Sequence, residues 1–324
     1  MNSQAIFNIQ SATHFEEVAM EVFRFQYQNN KVYRDFCNHL GRNPKNVGTV
    51  REIPFLPIQF FKSHKVLSKD EAVQVTFTSS GTTGTRTSKH HVTDLSVYEK
   101  SFRKGFSHFY GDVKDYTVLA LLPAYLERKG SSLIYMVNDM IEQSKHPESG
   151  FYLHNLDELA HQLRLLDEAG KKVLLIGVSF ALLDLVEKHD FQLKNTIVME
   201  TGGMKGRRKE MIREELHKEL ATGFGVGKIH SEYGMTELLS QAYSKGDGVF
   251  ECPPWMKIVV RDTEDALTIM DEGKSGGINV IDLSNINSCS FIATQDLGRI
   301  RGNQFEVIGR FDHSDIRGCN LMVL

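Results

Sequence analysis

The sequence predicts an α/β fold, with mixed, largely parallel sheets flanked by helices and a small C-terminal β subdomain. Two observations carry this reading. Between residue 73 and about residue 237, short β-branched apolar runs alternate with amphipathic helical stretches, the pattern of strands joined by crossover helices. Beyond about residue 250 the rhythm changes to short strands separated by turns. The expected organisation is a core over 1–250, a β subdomain of the same unit over 251–310, and a short tail over 311–324.

The elements follow in order. Residues 14–40 read as helices rich in Phe, Tyr and Glu, and "IPFLPIQFFKSHKV" (53–66) reads as an extended apolar segment broken by prolines. "VQVTF" is a short buried strand. "DLSVYEKSFRKGFSHFY" is a helix with Asp94 as its N-cap. "YTVLALLP" is the next strand and "SSLIYMVNDMIEQS" the next helix. "DELAHQLRLLDEAG" follows Leu156 and sets Leu159, Leu163 and Leu166 on the same helical face, with Gly170 as the stop. "KKVLLIGVS" and "NTIVMETGG" are strands around the helix "FALLDLVEKHD", and a helix over 208–220 leads to "KIHSEYGMTE". "PPWMKIVVRD", "ALTIM", "GGINVIDL", "SFIATQDLGRI" and "QFEVIGRFD" make the β subdomain.

Composition narrows the function classes. The chain has 324 residues, 41% hydrophobic and 24% charged, which is ordinary for a globular protein with an ample core. A net charge of −3 offers no basic field for nucleic acid. No apolar run reaches the length of a membrane span, and the N-terminus lacks the form of a signal peptide. Cys37, Cys252, Cys289 and Cys319 are far apart, with neither metal-pair spacing nor a disulfide framework. The expected location is the cytoplasm.

In such sheets, ligands bind where loops leave the carboxyl ends of strands. Three loops there are polar and glycine-bearing: 79–89, 201–206 and 233–237. The first lies in "TFTSSGTTGTRTSKHH", where a strand runs into hydroxyls, Gly81, Gly84, Arg86, Lys89 and two histidines. Glycines allow close backbone approach, and exposed backbone donors with nearby cations suit a polyphosphate. A solvent-exposed turn is the alternative. Neither the Walker A nor the Rossmann pattern is present.

"TSSGTTGTRTSK", "ETGG", "EYGMTE", "QDLGRI" and "IGRFDHSDIRG" occur in the order found in adenylate-forming enzymes, the acyl-CoA synthetase superfamily. "IPFLPIQFFKS", "ECPPWM" and "IRGCNLMVL" narrow the resemblance to the acyl-protein synthetase family, the LuxE-type long-chain-fatty-acid ligases, over nearly the whole chain. The resemblance implies the N-terminal-domain fold of adenylate-forming enzymes, with ATP and Mg²⁺ as cofactors. It also implies a carboxylic, expectedly fatty, acid as substrate, and acyl transfer through an enzyme cysteine to a partner reductase. It assigns Thr78, Ser79, Ser80, Gly81, Thr82, Thr83 and Gly84, with Lys89, to the β/γ-phosphates. Thr201, Gly202 and Gly203 lie against adenine in this scheme, and Tyr233 stacks on or flanks the base beside Gly234. Thr236 takes the α-phosphate, Glu237 the Mg²⁺, and Asp296 the ribose hydroxyls, with Arg310 nearby. Cys319 is the implied acyl acceptor. "PAYLERKGSSL" and "GVSFALLDL" are expected to line the acid's pocket.

The resemblance has two departures. Gly84 is followed by Thr-Arg-Thr-Ser-Lys rather than x-Pro-Lys, which leaves Arg86 and Lys89 as rival phosphate cations. The superfamily's mobile C-terminal domain and its catalytic lysine have no counterpart, and such a short end is itself a family trait. Each residue also has a plainer reading. Tyr233 would be a core aromatic, Glu237 a helix-start carboxylate, Asp296 a turn cap, Arg310 a surface partner of Asp312, and Cys319 a buried hydrophobe. His90, His91 and His230 read as structural. An acyl- or aryl-CoA ligase of the phenylacetate-CoA ligase type is the second enzyme reading. A degenerate nucleotide-binding scaffold for a reductase is the third.

Overall fold

The computed structural model describes residues 5–69, 71–79, 87–123, 130–153, 155–202, 208 and 211–311. Two helices open the chain, α1 (Ala12–Asn29) and α2 (Lys31–His39). Ser11 caps α1 by accepting from the His14 N–H, and Asn30 caps α2 by accepting from Tyr33. The segment expected to be extended holds a two-residue strand, β1 (Leu56–Pro57), and one helical turn, α3 (Phe60–Ser63).

A hairpin of β2 (Val75–Thr78) and β3 (Lys89–Val92) follows, pairing Thr78 with Lys89 across the glycine-rich loop. Then come α4 (Leu95–Tyr110), β4 (Thr117–Leu121), α5 (Ser132–Ser144), β5 (Gly150–Phe151), α6 (Leu156–Glu168), β6 (Val173–Gly177), α7 (Ser179–Lys188), β7 (Thr196–Thr201), α8 (Arg213–Phe224) and β8 (His230–Tyr233). Asp94 caps α4 as expected, and the Leu159, Leu163 and Leu166 face of α6 is buried. Helix α8 starts and ends later than the 208–220 reading. Leu216, Leu220 and Phe224 continue its buried stripe until Gly225, at φ +66°, stops it.

The remaining strands are β9 (Ala242–Ser244), β10 (Val249–Glu251), β11 (Met256–Arg261), β12 (Ser275–Asp282), β13 (Phe291–Arg301) and β14 (Gln304–Arg310). "ALTIM" is not a strand and makes a single bridge, Arg261 to Ile269. The Asp265 carboxylate accepts from the Leu267 N–H and the Thr268 hydroxyl and turns the chain there.

Among the described residues, a twelve-stranded sheet runs β11-β12-β13-β14-β10-β9-β8-β7-β6-β4-β5, with β1 attached to β13. The part from β5 to β8 is parallel, and the part from β8 to β11 is antiparallel. The β2–β3 hairpin is a separate sheet. None of the described helices is long and apolar enough to cross a membrane.

Packing crosses the linear boundary drawn at 250. One core gathers residues from Phe77 to Tyr243 around the parallel strands. The other joins the first helices to the antiparallel strands, stacking Tyr33 on Phe291 with Phe23 edge-on. Gln26 seals this union. Its amide donates to the carbonyls of Asn285 and Ile286, and its carbonyl accepts from the Ser290 N–H, all buried.

Replacing Gln26 by Leu preserves bulk and strands these groups. A buried group left unpaired costs about 1–3 kcal/mol. Urea unfolding of Gln26→Leu is expected to show a loss of at least about 2 kcal/mol. An unchanged midpoint and slope would refute the seal.

Candidate active site

A cleft of about 1740 Å³ opens where β7 and β8 end. It is lined by Thr78, Ser79, Thr201, Gly202, Tyr233, Gly234, Thr236, Glu237, Asp296 and Arg310, brought together from five stretches of chain. Ser80, Gly81, Thr82, Thr83, Gly84, Gly203 and Cys319 lie outside the described residues. Lys89 is exposed on β3 and is not among the residues lining the cleft. Its neighbour His90 points inward instead, as strand alternation requires.

The loop after β8 is clamped from behind. The buried Asp282 carboxylate accepts from the backbone N–H groups of Leu239 and Ser240 at 2.8 and 2.9 Å. Asn285 donates to the Glu237 carbonyl at 2.7 Å and accepts from Leu239. His90 donates from Nδ1 to the Thr236 carbonyl at 3.0 Å, and its Nε2 lies 2.8 Å from Ser288 Oγ. Burial pushes His90 down to about 4, so the ring is a neutral strut rather than a charge. Thr236 and Glu237 therefore reach the cleft on a fixed backbone.

Glu237 is 6% exposed. Burial raises its carboxyl above the usual range, while a hydrogen bond from Ser88 and the charges of Lys62 and Arg310 pull the other way. A buried carboxylate facing a polar cleft fits a hard cation, which takes one or two carboxylates and draws its other oxygens from phosphate and water. Among the described residues no cluster of three or more His, Cys, Asp or Glu could hold a metal alone.

Asp296 pairs in register with Arg310 across β13 and β14, and the guanidinium lies 3.9 Å from its Oδ1. Tyr233 donates to Asp296 Oδ2 at 2.9 Å. The tyrosine ring stands edge-on to Phe250 and Phe305, so it is both a core aromatic and a wall of the cleft. Burial raises Asp296, and the Tyr233 hydrogen bond, followed by the charges of Arg310 and other nearby arginines, opposes that shift.

Sequence reasoning missed Lys62. It stands on α3, whose Phe61 is buried edge-on against His90, and it lines the same cleft. The quoted "IPFLPIQFFKS" was a signal for it, but nothing in a single sequence tells a site lysine from a solvated one. It also missed the buried carboxylates Glu200 and Glu232, which read as ordinary strand ends before "TGG" and "YG". Ser179 and His217, likewise not singled out, lie beside Glu200, and Thr201, named from the sequence, donates to Glu232.

The fold matches that of known proteins. The profile described as "Acyl-protein synthetase, LuxE" matches residues 6–101 and 140–324. The chain belongs to this family. A relative from Vibrio harveyi, named long-chain-fatty-acid–luciferin-component ligase, is 24% identical over 92% of this chain and 84% of its own length. The fold is that of adenylate-forming enzymes. A 2-hydroxyisobutyryl-CoA ligase, in complex with its acyl-AMP and CoA, superposes with a TM-score of 0.66 at 12% identity, over 93% of this chain and 70% of that one. ATP-bound MatB from Rhodopseudomonas palustris gives 0.54 at 16% identity, over 75% of this chain and 48% of that one. The chain thus spans about half of MatB's length.

Glu232 dictates a pH dependence. Burial pushes its carboxyl up to about 7, with the Thr201 hydrogen bond opposing and the neighbouring Glu200 charge adding to the rise. The folded chain holds a proton that the unfolded chain releases above about 4.5. Stability is therefore full below that pH and falls as pH rises through about 7. The loss amounts to about 3 kcal/mol, at about 1.4 kcal/mol per unit. Glu232→Gln is expected to flatten this decline in denaturant titrations between pH 5 and 8. Parallel curves for the two proteins would refute it.

Proposed function

We propose that this protein condenses a carboxylic acid with ATP to an acyl-adenylate and passes the acyl group to its own Cys319, then to a partner protein. The observation that carries the reading is the convergence of Thr236, Glu237, Asp296 and Arg310 on one cleft, from segments far apart in sequence. These are the residues that the family resemblance assigns to the α-phosphate, Mg²⁺ and ribose. The acid is taken as fatty on the strength of the Vibrio harveyi relative's name.

In the first step a carboxylate oxygen attacks the α-phosphorus, and the bond to the bridging oxygen of the β-phosphate breaks. Pyrophosphate leaves with that electron pair. Two anions must approach, so donors and cations have to screen them. Thr236 supplies a hydroxyl on a fixed backbone, Lys62 and Arg310 supply charge, and Asp296 accepts from the ribose diol with charge-assisted strength. Glu237 would hold the Mg²⁺, which when bound neutralises phosphate charge.

In the second step a thiolate attacks the acyl carbonyl, and AMP leaves with the oxygen that the carboxylate brought. Burial pushes the thiols of Cys37, Cys252 and Cys289 upward, Cys37 to about 12. A thiol held protonated is a poor nucleophile. Of the four cysteines in the sequence, this leaves Cys319 as the best candidate.

Two measurements test the reading. Glu237→Gln keeps the shape and removes the charge; carboxylate-dependent ATP–pyrophosphate exchange is expected to fall about 10²–10³-fold with a far smaller change in stability. Parent-level exchange would rule out the metal role. Cys319→Ala is expected to retain exchange and lose the hydroxylamine-sensitive thioester formed from labelled acid and ATP, because a second-step nucleophile adds nothing to the first transition state. A persisting thioester would exclude Cys319.

A further inference from the structure

A buried arginine lies among β11, β12 and β13, close to Asp296. Arg261 ends β11 and is 9% exposed. The register of β12 on β13 slips between Gly277 and Asn279, which leaves Ile278 without a partner on β13. Side chains fill the gap. Arg261 Nη1 donates to the Ile278 carbonyl at 2.8 Å and to Asn279 Oδ1 at 2.7 Å, and its Nη2 donates to the Thr294 carbonyl at 2.6 Å. Gly277 makes room for the guanidinium, since an added Cβ there would stand only 2.5 Å from its Cζ.

The same strands fix Asp296. Thr294 Oγ1 donates to the Ile278 carbonyl at 2.8 Å and accepts from the Asp296 N–H at 3.1 Å. The Phe311 N–H donates to the Gln295 carbonyl at 2.7 Å, and the Arg261 guanidinium lies 5.5 Å from the centre of the Phe311 ring. Arg261 thus meets both the residue before Gln295 and the ring that closes on it. From the cleft side, the side chains of β8 alternate. Tyr233 donates to Asp296 Oδ2, while its neighbour Glu232 turns the other way, to Thr201.

Stability alone does not account for a guanidinium at this place. A buried charge is a poor stabiliser, because its desolvation offsets much of what its partners return. Burial opposes the charge of Arg261, and the charge of Asp296 supports it. Asn279 Nδ2 is buried beside it with no partner among the described residues, an arrangement that an apolar core would avoid. We infer that Arg261 is a positioning residue for adenylation: its fork holds β12 and β13 in the slipped register that aims the Asp296 carboxylate at the ribose hydroxyls. The inference rests on the adenylation reading and adds to it a residue that is not among those lining the cleft.

The experiment is carboxylate-dependent ATP–pyrophosphate exchange with the full chain and fatty acids of several lengths. Each protein is given ATP and dideoxy-ATP, which lacks both ribose hydroxyls. A site built to hydrogen-bond a hydroxyl rejects the analogue lacking it by roughly 10⁴-fold in kcat/KM, and the parent preference for ATP is expected to exceed about 10²-fold. Arg261→Met keeps the length of the side chain and removes the fork. It is expected to lower that preference at least about tenfold, with the KM for ATP raised and the KM for the acid unchanged. Arg261→Lys keeps the charge without the fork and is expected to retain part of the preference. Thr294→Val removes the hydroxyl that receives the Asp296 N–H and is expected to lower the preference in the same way. If Arg261→Met does not fold, the lysine and valine variants carry the test. The preference is taken within one folded variant, so a loss of folded protein alone would leave it unmoved. An unchanged preference in the folded variants overturns this inference and leaves the adenylation reading standing. A parent enzyme indifferent to the ribose hydroxyls overturns it as well, together with the role of Asp296. Exchange with no acid in the panel overturns both readings.

Discussion

The segment from Asp282 to Ser290 is the constraint on which the site depends. Its Asp282, Ser284, Asn285, Ser288 and Ser290 side chains are buried and hydrogen-bonded to their neighbours. Asp282 and Asn285 grip the backbone behind Glu237, Ser288 meets His90, and Ser290 meets Gln26 of the first helix. In the interior such groups are tolerated only when they are paired, and paired they select one arrangement. The N-terminal helices thereby support the same loop that the parallel strands deliver. This is why residues near both ends of the described chain share one core. It is also why the loop after β8 can present the buried Glu237 carboxylate to the cleft.

Local chemistry made much of the fold legible. The Asp94 cap, the leucine face of α6 and the apolar runs of β4 and β6 each follow from a few adjacent residues. What escaped were effects decided at a distance. "VQVTF" was readable as a strand, but its separation from the main sheet follows from pairing with β3 alone. "ALTIM" has strand composition and lost to the turn that Asp265 forms. The packing of residues 6–66 on strands beyond 249 is set by aromatic contacts and by Gln26, none of which has a local signature.

The site was legible where motifs carry it and silent where burial carries it. Tyr233, Thr236, Glu237, Asp296 and Arg310 were named from short segments, and they share a cleft. Lys89 was named from the same logic and stands outside the cleft lining, because alternation along β3 turns His90 inward. Glu200 and Glu232 could not be singled out in advance. A glutamate in a strand is ordinary on the surface, and only the structure shows these two sealed beneath it.

The alternation along β8 has a consequence for descent. Neighbouring positions on one strand turn to different partners, Tyr233 to Asp296 and Glu232 to Thr201. Substitutions on one wall leave the other's contacts intact. A lineage can therefore remodel one wall by changing alternate letters of this strand while the contacts of the other persist. The same partition would hide such drift from any comparison that scores only the shared motif.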